Sequence, residues 1–455
     1  MKIKNTIKRR EFTKWAGLGV GATLFPQWAS CAPKPPIRKG KLIDPSQKVR
    51  VACIGCGNRG ALDIREISDE TIVALCDVDE RAAQSTFEKY PTVPRYKDFR
   101  VMLKEMDDQI DAVSITTPDH THFAAGMASI ERGKHVFIQK PLTVSIADAR
   151  RLTEAARKHE VMTVMGNQGH TKGGCRSVKE WVDAGLLGDV TEVHVWTNKL
   201  KDGDYRSAIR NQYPPSHPVP KELEWDLWLG PAPEREYSHE YAPLKWRGFW
   251  ELGNGALGDI GCHTMDAAFY ALNLGAPTAV TAKTSGYNPY TFPDWSIITY
   301  EFPARGSMPP VKMVWYDGGK LPPVPAALGD AKMNKPRGYY MIGSNASVYD
   351  PGEKCESPRL IPEMKRRELK DELRKQTIPR VSGGPGVELM RAIKGGPKPG
   401  SNFDYAGPLT EMVLLGNIAI RAGGNRIEWD AASMKVTNMP ELNAFVDPPA
   451  RETWG

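Results

Sequence analysis

Val49-Arg50-Val51-Ala52-Cys53-Ile54-Gly55-Cys56-Gly57-Asn58-Arg59-Gly60 is the stretch whose reading decides the fold. An apolar run of strand length stops at a Gly-x-Gly-x-x-Gly turn, and the residues after it carry helical spacing. Glycines at these positions permit a tight turn and let a pyrophosphate approach the N–H groups that open a helix. A second apolar run ends in Cys76-Asp77, which puts a carboxylate 17 residues beyond Gly60. At that distance it is expected to bond both ribose hydroxyls of a dinucleotide and to disfavour a 2′-phosphate, so NAD is expected rather than NADP. Gly55, Gly57, Asn58, Arg59, Gly60 and Asp77 are therefore the first candidate cofactor residues.

Cys53 and Cys56 also spell Cys-x-x-Cys, a spacing used for zinc and redox chemistry. No second cysteine pair follows at ligand spacing, one of the two lies inside the strand, and the other sits between fingerprint glycines. The pair reads as structural, and no metal is expected.

Working outward, strand-like runs at 49–54, 72–76, 112–116, 135–138 and 162–165 alternate with helix-like segments at 80–89, 98–106, 121–132 and 146–159. That alternation predicts parallel βαβ units, hence an NAD(P)-binding Rossmann domain over 48–168. Beyond it, a helix at 176–184 precedes long strand-like stretches at 190–197, 278–284, 295–302 and 311–316. The expectation is an α/β Rossmann domain followed by a substrate-binding α+β domain, 169–455, with a large, mainly antiparallel open sheet. A homo-oligomer assembled through that sheet is expected. Segments 320–335 and 365–380 read as surface excursions. Helices are expected at 388–393 and 409–421, the latter packing back on the first domain.

Three predicted strand ends deliver polar groups to one edge of the parallel sheet: Thr116-Thr117-Pro118-Asp119-His120-Thr121-His122, then Gln139-Lys140-Pro141, then Gly166-Asn167-Gln168. Carboxyl ends of parallel strands face the cofactor crevice. Thr117, Pro118, His122, Gln139, Lys140, Asn167 and Gln168 therefore join the candidate cofactor residues.

The N-terminus has the layout of an export signal over 1–31, with 32–47 as a linker. Six basic residues and Glu11 precede Cys31, and an apolar run at 17–25 is too short to span a bilayer. Arg9-Arg10-Glu11-Phe12-Thr13-Lys14 resembles a twin-arginine signal, which serves proteins that cross the membrane folded. Trp28-Ala29-Ser30-Cys31 loosely resembles a lipoprotein box, making Cys31 a candidate lipid anchor. Export to the periplasm, free or membrane-anchored, is the expectation. Of the formal charge of +7, the first 31 residues supply +5, leaving +2. So neutral a body gives no electrostatic case for nucleic acid.

Taken together, the strand-end Thr-Pro followed by His122, the Lys140-Pro141 pair, and Asp259-Ile260-Gly261-Cys262-His263 resemble the Gfo/Idh/MocA superfamily (glucose-fructose oxidoreductase, inositol dehydrogenase and rhizopine catabolism proteins). The resemblance covers nearly everything from Lys48 onward. It implies that Lys140, Asp259 and His263 form the catalytic group. Independently, residues four apart on a helix share a face, and an imidazole suits removal of a hydroxyl proton. One position departs from the family pattern: Gln139 stands where a Glu is usual, which keeps hydrogen-bonding shape and loses charge.

The implied activity is NAD(P)-dependent oxidation or reduction at a hydroxyl of a sugar or glycoside, with tightly held cofactor. An NAD-dependent glycosidase working by transient oxidation and elimination is the alternative. A silent sugar-binding relative is a third reading, and intact Lys140, Asp259 and His263 argue against it. The stretches 246–250 and 253–255 are expected either to line the cleft or to fill the core. His170 is a weaker candidate for ligand contact, while His194, His217 and His239 have no supporting neighbours.

Overall fold

Six short strands form an all-parallel sheet in the order β3-β2-β1-β4-β5-β6. They are β1 (Arg50–Ile54), β2 (Thr71–Cys76), β3 (Arg95–Tyr96), β4 (Ala112–Ile115), β5 (His135–Gln139) and β6 (Thr163–Gly166). The order reverses at β1, so β1 and β4 open a crevice at their carboxyl ends, where the glycine turn lies. Helices α1 (Arg59–Glu66), α2 (Glu80–Lys89), α3 (Phe99–Glu105), α4 (His122–Ile130) and α5 (Ile146–Lys158) make the crossovers. Their starts are set by local chemistry: Asp79, Asp98 and Ser145 each accept a backbone N–H of the first turn. Asn58, before α1, makes no such side-chain cap. The structure, a computed structural model, describes residues 36–199 and 211–454. The twin-arginine pair and Cys31 lie outside the described residues.

A second sheet of nine strands runs β13-β12-β11-β7-β10-β9-β8-β14-β15. It contains β7 (Val190–Thr197), β8 (Ala279–Thr284), β9 (Ser296–Phe302), β10 (Val311–Tyr316), β11 (Arg337–Gly343), β12 (Ser347–Asp350), β13 (Arg359–Ile361), β14 (Ile427–Asp430) and β15 (Lys435–Val436). Every pairing is antiparallel except β7 with β10, so the expected mainly antiparallel sheet is observed. Helix α6 (Gly173–Asp183) leads into it, and α7 (Trp225–Leu229), α8 (Cys262–Thr264), α9 (Asp266–Ala271), α10 (Glu363–Glu368), α11 (Pro385–Ile393) and α12 (Phe403–Arg421) follow in chain order.

Two expected surface excursions are more than that. Leu328, within 320–335, is buried against Trp196 and Tyr340. Arg380, at the end of the 365–380 charge run, holds the buried Glu180 carboxylate of α6 with two bonds of 2.6 and 2.8 Å. A charge run reads as solvated because its partner, 200 residues away, is invisible to local sequence. Helix α12 also starts earlier than expected: Asn402 caps it, and Pro408 lies within its first two turns. Its apolar faces bury against both sheets' helices and strands, and its Glu411 carboxylate takes Arg150 of α5 (2.8 Å) and Trp429 of β14 (2.9 Å). Helix α12 thus lies against α5, a crossover helix of the parallel sheet.

Candidate functional site

The glycine turn is rigid by construction. Gly55 has φ +81°, and a Cβ there would lie 2.4 Å from the Thr116 carbonyl oxygen. A Cβ on Gly57 would lie 2.5 Å from the Ala82 carbonyl oxygen, and one on Gly60 would lie 2.0 Å from that of Gly55. Only hydrogen fits at any of the three. Asp77 pins the turn from below: its Oδ2 accepts the Cys56 N–H (2.7 Å) and its Oδ1 the Asp79 N–H (3.0 Å). The carboxylate lines the cleft, and burial raises its pKa against the pull of the Asp79, Cys56 and Gly57 N–H groups.

A cleft of about 350 Å³ runs from this turn across to residues 242–247, 259–263 and 353–354. Gly55, Gly57, Asn58, Arg59, Asp77, Thr117, Pro118, Gln139, Lys140, Gln168, Asp259 and His263 all line it. The expected cofactor and catalytic residues are thus brought together, with three exceptions. Gly60 packs behind the turn. His122 is fully buried, its ring nitrogens 2.9 and 3.0 Å from the Pro141 and Thr117 carbonyl oxygens, so it ties two strand ends together and does not reach the cleft. Asn167 is likewise buried behind the lining, and its contact is with His263.

That contact determines what His263 can do. Asn167 Nδ2–H donates to the Cys262 carbonyl (2.8 Å), which turns Oδ1 toward His263 Nδ1 at 2.7 Å. The imidazole therefore carries its proton on Nδ1 and presents the Nε2 lone pair. Burial pushes the His263 pKa well down, helped by the nearby Lys140, Lys354 and Arg59 cations, so the ring is neutral. Asp259 receives the Lys140 ammonium, and Arg247 Nε lies 3.7 Å from the same carboxylate oxygen. Residues 257–261 form a π-helical turn, not the α-helix expected, so Asp259 and His263 reach the cleft from a widened turn and not from one α-helical face.

Gln139 donates from Nε2 to Asp63 Oδ2 (2.9 Å), and Asp63 also takes Arg59 (2.6 Å) and Thr116 (3.0 Å). The Gln139 amide thus meets a carboxylate that α1 supplies. Three buried polar atoms of the lining have no partner among the described residues: Arg59 Nε, Thr117 Oγ1 and Gln168 Nε2. Unpaired buried polar atoms are costly unless a ligand meets them. Together with the glycine turn, they fit a dinucleotide: Gly55 to Arg59 toward pyrophosphate, Asp77 toward ribose, Thr117 and Gln168 further along.

Trp246 and Arg247 line the cleft, the guanidinium 4.2 Å over the indole, whereas Trp250 is core, 3.8 Å from the Phe292 ring. Sequence reasoning missed Asp119 and Lys354. Asp119 lies in the Thr116–His122 strand-end motif, and the strand-end signal extended to it; buried in the cleft wall and bonded to Asn254 (3.0 Å), its carboxyl is pushed up to about 7. Lys354 comes from the loop between β12 and β13 and carries no sequence signal. His170 is not a cleft residue; it pairs with Asp266.

This parallel sheet, glycine turn and lined cleft define a protein of the NAD-binding Rossmann type followed by a second domain built on a mixed sheet. Residues 49–167 match the family described as "Oxidoreductase family, NAD-binding Rossmann fold", and residues 172–308 match its "C-terminal alpha/beta domain". The chain belongs to the Gfo/Idh/MocA oxidoreductase family. It is 28% identical over 243 residues to the D-glucoside 3-dehydrogenase of Escherichia coli K12, covering 52% of this chain and 58% of that one. A glycosyl hydrolase family 109 protein of Shewanella pealeana is 26% identical over 230 residues, 46% of this chain and 50% of that one. The chain thus spans about half the length of these curated relatives. In fold it resembles the WlbA dehydrogenase of Bordetella pertussis, solved with NADH and UDP-GlcNAcA: TM-score 0.60, 17% identity, 85% of this chain and 99% of that one.

Proposed function

We propose that this protein moves hydride between NAD and a ring hydroxyl of a sugar or glycoside, forming or reducing a keto sugar. The observation that carries the reading is the shared cleft: a neutral His263 with Nε2 free of Asn167, and the Lys140–Asp259 pair, line the same space as the glycine turn. When bound, NAD supplies uptake or return of one hydride. His263 Nε2 takes the hydroxyl proton as the carbinol becomes a carbonyl. Lys140, held by Asp259, donates to the substrate oxygen and favours its deprotonated form. Asp77 favours NAD over NADP, since a 2′-phosphate beside it would meet a carboxylate.

A second reading, hydrolysis through transient oxidation, is favoured by one observation. The Asp119 carboxyl, pushed up to about 7 in the same cleft, is a group able to exchange a proton with a C–H acidified by a neighbouring keto group. The family 109 relative is consistent with it.

The test is to denature the purified protein, identify released nucleotide, and run the native protein on a glycoside panel while following keto sugar and free aglycone separately. Keto sugar without cleavage supports the dehydrogenase. Aglycone with unchanged cofactor supports the second reading. No nucleotide and neither product overturn both.

The twin-arginine-type segment supports export of the folded, cofactor-loaded protein, with Cys31 as a lipid anchor. Replacing Arg9 and Arg10 by Lys is expected to retain the protein in the cytoplasm; unchanged fractionation overturns this.

A further inference from the structure

His170, Cys175 and Asp266 arrive from three places in the chain: the loop after β6, the first turn of α6, and the start of α9. Their donor atoms lie within 4.8 Å of one another. His170 Nδ1 is 3.1 Å from each Asp266 oxygen, and Cys175 Sγ is 3.7 Å from Oδ2. None of the three side chains reaches solvent: their residues are 2%, 0% and 1% exposed in the case of His170, Cys175 and Asp266. A fourth donor borders this group: the buried Cys355 thiol, 2.9 Å from the Tyr339 hydroxyl, neighbours Cys175 but stands outside the 4.8 Å cluster.

We propose that His170 Nδ1, Cys175 Sγ, Asp266 Oδ2 and Cys355 Sγ form a buried tetrahedral site for a zinc-class divalent cation. The donor set decides the class: two thiols and an imidazole suit a borderline-soft ion, while magnesium and calcium require oxygen donors. Bonds of about 2.0 Å to N and O and about 2.3 Å to S give tetrahedral edges of about 3.3 to 3.8 Å. The 3.1 Å His170–Asp266 and 3.7 Å Cys175–Asp266 separations need shifts of only a few tenths of an ångström, whereas the Cys355 side chain must swing in from outside the 4.8 Å group.

The surroundings are those of a ligand shell. Tyr405 donates to Asp266 Oδ1 (2.6 Å), which leaves Oδ2 toward Cys175. Cys355 adopts φ +50°, an unfavourable conformation for a residue with a Cβ, and a Cβ on Gly174 would lie 2.2 Å from the Cys355 carbonyl oxygen. Backbone strain and a close approach are thus spent to bring this thiol inward. Loading one cation displaces the Cys175 and Cys355 thiol protons and the His170 Nδ1 proton; no oxidant is involved.

The sequence reading expects no metal because cysteine pairs do not repeat at ligand spacing. Here the ligands lie 5, 91 and 89 residues apart along the chain, so only tertiary structure gathers them. Asp266 is three residues past His263, and Cys355 follows Lys354 at the cleft, so the cation would staple two walls of the cleft without touching substrate.

The test uses the full chain under reducing conditions. Elemental analysis is expected to find one zinc per chain. After chelation, cobalt(II) is expected to give a thiolate charge-transfer band and tetrahedral visible bands, with the charge-transfer band roughly halved in Cys355→Ser and in Cys175→Ser. Should a variant not fold, the wild-type cobalt spectrum still decides. Less than one tenth of an equivalent of metal after incubation with zinc overturns the proposal, as does an octahedral cobalt spectrum or a Cys175–Cys355 disulfide in protein purified without reductant. None of these readouts depends on turnover or on the redox reading.

Discussion

Asn167 Oδ1 stands 2.7 Å from His263 Nδ1, and the same amide's Nδ2 is fixed on the Cys262 carbonyl. The amide thereby sets the tautomer of the imidazole from outside the cleft. Replacing Asn167 by Leu is expected to lower kcat at least tenfold while the Kd for NADH changes less than twofold, because the lost bond orients the base and does not touch the cofactor. Stopped-flow turnover and fluorescence titration check this; equal losses in both would show a general collapse. His263→Ala itself should cost about 10² to 10⁴ in kcat.

Gln139 and Asp63 form a buried amide–carboxylate pair at 2.9 Å. Gln139→Glu puts two carboxylates there, and is expected to destabilise the protein by about 1 to 3 kcal/mol or to weaken NAD binding correspondingly. Adding Asp63→Asn should restore most of the loss, because it exchanges the two groups. Denaturant melts of both singles and the double form a cycle; simple additivity would refute the pairing.

Asp119 supplies a pH signature. Its carboxyl is pushed from 3.8 up to about 7 by burial, so between about pH 4 and 7 the folded state binds more protons there than the unfolded state does. Stability from this group is present below pH 4 and is lost as pH rises to 7. Subtracting the melting profile of Asp119→Asn from wild type should leave a fall over that window, of at most about 4 kcal/mol. A flat difference would show that Asp119 ionises normally.

Asp77 holds the Cys56 and Asp79 N–H groups as well as facing the cleft. Asp77→Ala should weaken NADH binding more than tenfold, with NADPH losing less, so the ratio of the two narrows. Parallel titrations measure it. Asp77→Asn, which keeps one acceptor oxygen, should fall between.

The glycine turn, the five longer parallel strands and Asp77 are legible because each is local: apolar runs, glycines that no other residue can replace, and a carboxylate at a fixed offset. β11 to β13 were not read, since Arg337–Gly343 packs tyrosines on both faces and lacks alternation. The Gln139–Asp63 pair is half legible: the amide stands out in the sequence, whereas its partner, 76 residues away, does not.

Sequence by itself therefore determined the fold class and the family, because those rest on short-range spacing. Tertiary structure alone decided that His122 is buried as a strand tie, that Asn167 bonds His263, that Arg380 answers Glu180, and that His170, Cys175 and Asp266 converge beside the cleft. Each of these is a contact between side chains distant in the chain, made when burial leaves a polar group no partner but the one that packing brings to it.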